Sequence, residues 1–523
     1  MRAACAALSG LIAGFSALAV AELVAAVIRP EAGPITAVGS AVIDRTPPAL
    51  KDFAIRNFGT NDKLVLELGI LVLLAGFAVV IGVLALRHRV TGSAAVLVFG
   101  VVGAVAAVDR PEGQPADALP SVVGAVLAAG VLYLLVGRLA PVPGPSLAAG
   151  GRAGEPVSHA AFDRRGFVIA ASAAAAASAG AGLLGRRLTS AVQAGATASR
   201  RDLVLPVPAS AAPAVPAGAD LRIRGLSSFV TPNKSFYRVD TALVVPRLDA
   251  NDWKLRIHGK GVERPVTLSF KDLLRREIIE RDITLTCVSN EVGGPYAGNA
   301  RWIGVRLADL LREAGVKPPS RGGPANQIIT RSVDGMTIGT PVETVMDGRD
   351  AMLALGMNGE PLPFTHGFPV RMVVPGLYGY VSACKWMKDI ELTTFDDYDA
   401  YWVKRSWSQQ APVKTESRID TPRPFASPKA GTIPVAGVAW AQHRGISRVE
   451  VRVDGGPWHR ARLAAEDSRD TWRQWVWEWP ATSGHHTLEV RATDGTGATQ
   501  TGKRVGTVPD GATGWHSVVV DVS

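Results

Sequence analysis

The sequence predicts a multidomain protein with an N-terminal α-helical transmembrane domain, a mixed α+β domain and a C-terminal β-sandwich. Long apolar runs are concentrated before residue 190. The middle of the chain mixes alternating strand patterns with short amphipathic helices, and the end carries short alternating strands separated by turn residues. A chain of 523 residues is long enough for several such domains.

Five apolar runs are long enough to cross a bilayer and predict a transmembrane domain over residues 1–188. They lie at residues 3–28, 64–86, 91–108, 120–140 and 166–185. The fifth follows the paired arginines of "FDRRGF", which is typical of a twin-arginine export signal, although such pairs also flank ordinary membrane helices. Five crossings from a cytoplasmic N-terminus predict a multi-pass protein of the cell membrane with everything after residue 185 extracytoplasmic.

Charge and histidine placement limit the cofactors and partners. No histidine falls within the five apolar runs, so we expect no haem in this chain and a separate electron-transfer partner. The net charge is +10, but Lys and Arg are scattered, and no basic run with interleaved aromatic residues occurs. Nucleic-acid binding is therefore not expected.

The segment after the helices predicts a linker and then a globular domain. Residues 189–220 are rich in Ala, Pro and Ser without a periodic apolar face, which indicates a partly extended linker. Residues 221–408 lack a βαβ rhythm, which favours an α+β domain. Within it, "WKLRIHGKGV" predicts a strand, "TLSFKDLLRREI" a capped short helix, and "RLADLLREAGV" a helix ended by Gly315.

Residues 409–523 carry the pattern of an immunoglobulin-like β-sandwich. The predicted strands lie in "GTIPVAGVAWA", "ISRVEVRVDGG", "WRQWVWEWP", "GHHTLEVRATD" and "WHSVVVDVS". Turn residues such as "DGG" and "DGTG" separate them. The Trp-rich strand is compatible with a homodimer interface and equally with the sandwich core.

The chemistry-bearing residues cluster in the middle domain. Cys287 ends an apolar run and precedes a Gly-rich loop that can present backbone N–H groups to a ligand. His366, Arg371 and Lys385 follow within about 20 residues of one another and resemble an anion pocket. Together they favour a phosphate-bearing cofactor, while a disulfide between Cys287 and Cys384 is the structural alternative.

Several segments, in this order, resemble the sulfite oxidase family of molybdopterin oxidoreductases. They are "TPNKSFYRVD", "WKLRIHG", "TLTCVSN", "ARWIGVRLADLL", "MNGEPLPFTHGFPVRMVVPG" and "KW". The resemblance runs from about residue 222 to the C-terminus, and the sandwich resembles the family's dimerisation domain. It implies a molybdenum cofactor with a single pterin dithiolene, bound to the protein through the Cys287 thiolate, which as a soft ligand suits this metal.

The resemblance also implies the remaining site residues. Cys384 becomes a neighbour of the site, because a disulfide would consume the metal ligand. The catalytic residues implied are Cys287, Asp240 and Trp407. The cofactor-binding residues implied are Asn233, Tyr237, Arg238, Asp240, Asp334, His366, Arg371, Ser382 and Lys385.

Departures from the family pattern concern the substrate. Val239 and Glu478 stand where sulfite oxidases are expected to place arginines, and Glu291 stands where they carry basic residues. Loss of charge-assisted hydrogen bonds, each worth roughly 1.5–3 kcal/mol, predicts weak binding of the sulfite dianion. Tyr296, Trp302 and Trp407 are candidates for an aromatic wall that favours an uncharged or bulkier substrate.

The sequence therefore predicts a membrane-anchored, extracytoplasmic enzyme that catalyses two-electron oxygen-atom transfer and is not specific for sulfite. Catalysis could run as oxidation or as reduction of a sulfoxide or similar oxide. The alternative from another class is a metal-free, membrane-tethered binding module with a Cys287–Cys384 disulfide.

Overall fold

The protein is described by a computed structural model that covers residues 1–47, 50, 53, 57–58, 62–110, 113–140 and 162–523. The chain divides into two compact units. One consists of Met1–Gly195 with Thr241–Val245, and the other of Ala196–Asp240 with Pro246–Ser523. Residues 141–161 of the predicted transmembrane domain lie outside the described residues.

The first unit is helical. Its helices are α1 (Arg2–Ile28), α2 (Pro34–Arg45), α3 (Asp62–Ala85), α4 (Arg89–Val108), α5 (Leu119–Gly137) and α6 (Arg164–Arg201). Among the described helices, five are long and apolar enough to cross a membrane: α1, α3, α4, α5 with the turn before it, and α6. Each contains or overlaps one of the five predicted apolar runs, so their helical character is confirmed.

Small residues bring the apolar helices close together. A Cβ added to Gly10 of α1 would overlap the backbone of α3 at Ala78, so only glycine permits this approach. Ser178 Oγ of α6 donates to Ser16 Oγ of α1 at 2.7 Å. Close backbone approach and interhelical hydrogen bonds are the interactions that hold apolar helices together in lipid.

Helix α6 is longer than the sequence predicts. It continues to Arg201, into the segment predicted as an extended linker. The physical reason is composition, because residues 189–201 are rich in Ala, a strong helix former, and contain no Pro. The prolines begin at Pro206, and residues 203–209 are irregular.

Two sheets, one mixed and one antiparallel, form the middle of the second unit. One has the strand order β2-β1-β10-β5-β6, and the other has the order β3-β4-β7-β8 with β9 paired to β7. The strands are β1 (Lys254–Gly259), β2 (Val266–Ser269), β3 (Ile278–Thr286), β4 (Ala297–Arg306), β5 (Gln327–Ser332), β6 (Thr337–Pro341), β7 (Met352–Met357), β8 (Glu360–Pro361), β9 (Arg371–Val373) and β10 (Met387–Thr393). Only β1 and β10 pair in parallel among these strands, which agrees with the absence of a βαβ rhythm.

Four short helices connect these strands: α7 (Phe270–Leu274), α8 (Leu307–Glu313), α9 (Val342–Met346) and α10 (Gly379–Ser382). The capped helix after "TLS" is confirmed as α7, where Ser269 Oγ accepts from the Asp272 N–H at 3.2 Å. The helix ended by Gly315 is confirmed as α8, and this glycine has a φ of +86°.

Two four-stranded antiparallel sheets form the C-terminal part, with the orders β11-β12-β16-β15 and β14-β13-β17-β18. The strands are β11 (Glu416–Thr421), β12 (Gly431–Trp440), β13 (Ile446–Val453), β14 (His459–Arg460), β15 (Arg462–Leu463), β16 (Arg473–Ala481), β17 (Gly484–Asp494) and β18 (His516–Val522). All five strands predicted here are confirmed. Trp475 and Trp479 belong to the shared core of the two sheets, so part of the Trp-rich strand serves that core.

This sandwich packs on the end of β3. Trp472 donates its backbone N–H to Thr284 Oγ1 at 2.7 Å. Gln442 Nε2 donates to Thr284 O at 2.8 Å and to Thr286 Oγ1 at 3.0 Å. These bonds fix the strand end that leads directly into Cys287.

Candidate active site

Cys287 follows the last residue of β3 and opens the connection to β4. Its N–H donates to Tyr296 O at 2.9 Å, and its own carbonyl accepts from the Asn290 N–H at 3.1 Å. Only 8% of the residue is exposed. Residues 287–296, hereafter the cysteine loop, are thus closed at the base by the continuing strand pair.

Asn290 organises the cysteine loop from inside. Its Oδ1 accepts from the Tyr296 N–H at 2.8 Å. A Cβ added to Gly294 would lie 2.7 Å from that oxygen, and Gly293 adopts a φ of +80°. The two glycines therefore have a steric role in the loop, and Asn290 is a residue that the sequence analysis did not identify.

His366, Arg371 and Lys385, the predicted anion pocket, are brought together; His366 and Arg371 are buried, and 10% of the Lys385 side chain is exposed. Arg371 Nη1 donates to His366 O at 3.3 Å, and its Cζ lies 4.9 Å from the centre of the Trp302 ring. Lys385 follows α10, and its Nζ donates to Thr365 O at 3.4 Å. Arg371 Nε is buried without a hydrogen-bond partner among the described residues.

Burial makes the charged forms of Arg371, Lys385 and His366 unfavourable. Burial lowers the pKa of Arg371 to about 10 and the pKa of Lys385 to about 8. Burial, followed by repulsion from Arg371 and Lys385, lowers the pKa of His366 to about 4, so this imidazole is neutral at pH 7. Buried cations with an unused donor fit an anionic group such as a pterin phosphate.

Asp240 and Arg238 form an ion-pair network with Lys385. Asp240 Oδ2 accepts from Lys385 Nζ at 2.9 Å and from Arg238 Nε at 2.7 Å, while Arg238 Nη2 donates to Asp240 Oδ1 at 3.1 Å. Lys385 Nζ also donates to Val239 O at 3.2 Å. This network partly neutralises the cation cluster on one side.

Tyr237 lies between the cysteine and the cation cluster. Burial, and then the proximity of a negative charge on Cys287, raise the pKa of the Tyr237 phenol, while Arg371 lowers it. Its ring stacks on Phe236 at 5.1 Å and tilts against Tyr296 at 6.2 Å. The phenol therefore keeps its proton and acts as a neutral hydrogen-bonding group.

Asn233 supports His366 with its backbone. His366 Nε2 donates to Asn233 O at 3.1 Å. The Asn233 side chain donates to Met357 O at 3.1 Å and to Glu360 Oε1 at 2.6 Å, and its Oδ1 accepts from Asn358 Nδ2 at 2.8 Å. In the structure Asn233 thus orients the histidine.

Asp334, Ser382 and Cys384 surround the cluster. Asp334 Oδ1 accepts from the Met336 N–H at 3.2 Å in the turn between β5 and β6. Ser382 Oγ lies 3.0 Å from both Leu377 O and Tyr378 O, so its hydroxyl hydrogen is engaged by backbone carbonyls. Burial raises the pKa of the Cys384 thiol to about 12.

Two buried thiols, those of Cys287 and Cys384, lie at this site. Cys287 and Cys384 are both free in the structure, which does not support the disulfide alternative. Burial raises the pKa of Cys287, although hydrogen bonds from Ser289 and the charge of Lys385 oppose this. A thiolate in this place is favoured when a cationic metal compensates its charge, which fits a metal ligand.

The aromatic candidates separate into two groups. Trp302 is fully buried, so it cannot form an open pocket wall, and its indole donates to Ile283 O at 3.1 Å. Its role is to pack beneath Arg371, which corrects the expectation from sequence. Trp407 is half-buried, with its ring 5.6 Å from that of Tyr380 and 6.2 Å from that of Trp402.

The chain is similar to a known protein family and to individual oxidoreductases. Residues 242–402 match the family model described as the oxidoreductase molybdopterin binding domain. Human mitochondrial sulfite oxidase is 29% identical over 289 residues, which cover 47% of this chain and 52% of that protein. The uncharacterized oxidoreductase YuiH of Bacillus subtilis (strain 168) is 33% identical over 159 residues, which cover 30% of this chain and 74% of YuiH.

Among solved structures, the sulfane dehydrogenase SoxCD from Paracoccus pantotrophus is similar with a TM-score of 0.49 and 25% sequence identity. The match covers 57% of this chain and 84% of that chain. The chain spans about half the length of the sulfite oxidases that it matches.

Proposed function

The chain belongs to the sulfite oxidase family of molybdopterin-dependent oxidoreductases, and on that premise we propose that it is a membrane-anchored, extracytoplasmic enzyme for two-electron oxygen-atom transfer. The observation that carries the proposal is the cluster of buried cations around Tyr237, directly beside the buried Cys287 thiol. Buried cations are unfavourable without an anion, a buried thiolate is unfavourable without a metal, and a molybdenum–pterin group supplies both.

The residues present fit that cofactor. Arg371, His366 and Lys385 would hold the pterin phosphate, with the unused Arg371 Nε as one donor. Cys287 would bind the metal through its thiolate. Arg238, Asp240, Asp334 and Ser382 stay predicted contacts, and Asn233 would act through His366.

When bound, the molybdenum–pterin group supplies the transfer of one oxygen atom and two electrons, with water as the source or the product of that oxygen. The chain's own residues bind and orient the group. Burial of Cys287 and Arg371 excludes water and strengthens their electrostatic interactions. Tyr237 keeps its proton and can donate a hydrogen bond beside the metal ligand, and the Asp240–Lys385 pair fixes the opposite side.

The proposed substrate is an uncharged small molecule instead of sulfite. Arg238 is engaged by Asp240 and so cannot serve as an undivided cation for a dianion. Val239, at the position of the expected arginine, is 39% exposed, and Glu291 is exposed in the cysteine loop. The half-buried Trp407 beside Tyr380 is the remaining candidate for an aromatic substrate wall and for the predicted catalytic role.

The remaining features of the proposal concern organisation. The apolar helices support an anchor in a cell membrane, and a separate electron-transfer partner would complete the redox cycle. The same proposal divides the chain into a transmembrane domain, a linker, a catalytic domain and an immunoglobulin-like domain. The last of these would form a homodimer.

The test is the molybdenum and pterin content of the purified full chain, wild type beside Cys287→Ser. We expect about one molybdenum and one pterin in each wild-type chain, in line with a single Cys ligand. Cys287→Ser should lose or weaken the metal, while Cys5→Ser, a change in α1, should leave the content unchanged. A wild type without metal or pterin from a cofactor-competent host would refute the proposal.

Substrate preference is tested on the loaded enzyme. Oxidation of sulfite with ferricyanide is compared with reduction of methyl phenyl sulfoxide by reduced methyl viologen. We expect a high KM for sulfite, because the cations that a dianion needs are absent or paired. A KM for sulfite in the low micromolar range would refute the proposed preference for an uncharged substrate. It would not contradict the assignment of the cofactor.

A further inference from the structure

The last turn of α6 is attached to the chain segment that leads into His366. Arg200 Nε donates to Leu362 O at 2.7 Å, and Nη2 of the same side chain donates to Pro361 O at 2.7 Å. Arg200 Nη2 also lies 3.2 Å from Glu360 Oε2 as an ion pair. The Glu360 side chain is 51% exposed, so we expect the two bonds to backbone carbonyls to be the stronger part of this attachment. The planar guanidinium thus binds three consecutive residues at once.

The end of α6 is itself fixed in place. Residues 196–201 belong to the second unit. The Ala250 N–H donates to Ser199 Oγ at 3.1 Å, beside Arg200 in the sequence. Leu205, which follows the helix, packs against the main hydrophobic core of this unit. Arg200 therefore projects from an anchored turn and can constrain the segment that it binds.

The bound segment is stiff and short. Pro361 and Pro363 each fix a φ angle, and Leu362 between them is fully buried. The His366 N–H donates to Pro363 O at 2.9 Å, which closes the turn that carries the imidazole. His366 therefore follows Leu362, whose carbonyl Arg200 holds, through only a few residues with little conformational freedom.

A second route of hydrogen bonds reaches the ring of His366. Glu360 Oε1 accepts from Asn233 Nδ2 at 2.6 Å, so one carboxylate bridges Arg200 and Asn233. Asn358, in the turn between β7 and β8, donates to Asn233 Oδ1 at 2.8 Å and fixes that amide further. His366 Nε2 donates to Asn233 O at 3.1 Å. The backbone and the ring of His366 are thus both tied to groups that Arg200 holds directly or through Glu360.

We propose that Arg200 is a positioning residue of the cofactor pocket, which holds residues 360–362 and, through Glu360, the Asn233 side chain, so that the His366 ring is oriented for the pterin phosphate. A ring that is oriented before binding holds the phosphate more tightly, because no binding energy is needed to order it. The last turn of α6 then contributes to retention of the cofactor. The inference rests on the proposed function, because it takes His366 as a contact of the pterin phosphate.

The first test is made on the full-length apoprotein, from a host that makes no pterin cofactor, as wild type, Arg200→Gln and Arg201→Gln. Diethyl pyrocarbonate modifies accessible neutral imidazoles, and mass spectrometry of the peptides gives the rate at each histidine. Burial lowers the pKa of both His366 and His516 to about 4, so at pH 7 the two rates report access and not protonation. We expect Arg200→Gln to react several-fold faster at His366 and at the wild-type rate at His516 of β18.

Arg201→Gln is the matched control. Arg201 is the next residue of the same helix, but its side chain is 74% exposed and pairs with Asp202, so this variant should react like wild type at both histidines. An unchanged His366 rate in Arg200→Gln would overturn the inference. Equal acceleration at His366 and His516 would overturn it as well, because it would indicate a general loosening of the chain.

The second test follows pterin release from the cofactor-loaded full-length chain at pH 7. Arg200→Gln should release pterin several-fold faster than wild type, and Arg200→Lys, which keeps the charge without the planar fork, should lie between them. In chains that also carry His366→Ala, Arg200→Gln should have no further effect, because the ring that Arg200 positions is absent. Equal acceleration with and without the His366 ring would overturn the inference, whereas a wild type that never binds pterin would refute the proposed function itself.

Discussion

The variant Arg371→Met tests whether the buried charge of Arg371 destabilises the apoprotein and whether the same charge binds the cofactor. Arg371 is 4% exposed, and its Nε has no partner among the described residues. Burial lowers its pKa from the ordinary value of a guanidinium to about 10. At about 1.4 kcal/mol for each pKa unit, the charged side chain costs the folded apoprotein about 3 kcal/mol. A bound phosphate would offset this cost, and Met would remove it.

We therefore expect apo Arg371→Met to be more stable than the wild-type apoprotein by about 1–3 kcal/mol, allowing for the lost bond to His366 O. Because the pKa is lower in the folded state, the cost is fully present below pH 10 and shrinks as the pH rises through and above 10. The stability difference should be constant from about pH 6 to 9 and should narrow at higher pH. The loaded variant should hold less pterin than wild type.

The assay is thermal unfolding of the full chain in detergent, expressed in a host that makes no pterin cofactor. A gain of 1 kcal/mol raises the apparent Tm by roughly 1–2 °C for a unit of this size. Arg256→Met, an exposed residue of β1, is the matched control and should leave the apparent Tm unchanged. The reasoning is refuted if apo Arg371→Met unfolds at or below the wild-type temperature, or if it holds pterin as tightly as wild type does.

Three further changes have expected outcomes. Ser269→Ala removes the cap of α7 and should lower the free energy of unfolding by about 1 kcal/mol, with the molybdenum content unchanged. Gly293→Ala forces a side chain into positive φ against His516, so a loss of about 1–3 kcal/mol and of molybdenum is expected; an unchanged content would contradict the packing described. Glu416→Gln should unfold like wild type near pH 4, because both side chains are neutral there. Above pH 8 it should be more stable by up to about 5 kcal/mol, since the raised pKa makes wild-type stability fall between about pH 4.5 and 8; parallel pH curves would contradict this.

Local patterns predicted the elements that carry the site. The run into Cys287 ends where β3 ends, and the cap at Ser269 and the stop at Gly315 mark α7 and α8. These features depend on neighbouring residues, so a single sequence contains them. The linker is the exception, because the missing periodic apolar face predicts an extended chain, whereas the Ala-rich residues 189–201 are helical.

The chemical types at the site were also predictable. His366, Arg371 and Lys385 lie close in sequence, and their combination with Cys287 predicted an anion pocket beside a thiolate. Their burial was not predictable, because it depends on how the sheets pack. Trp302 shows the same limit, since its aromatic character suggested a pocket wall while packing places it beneath Arg371.

The residue chemistry, the periodicities and the capped ends can be read from the sequence alone, because each acts over a few residues. That Arg418 and His516 of the last domain support the loop of Cys287, more than a hundred residues earlier, follows only from the tertiary packing. The physical reason is that a charged residue on an alternating strand has the same sequence pattern on either face. Which face is covered, and by which loop, depends on contacts between segments that the chain order does not bring together.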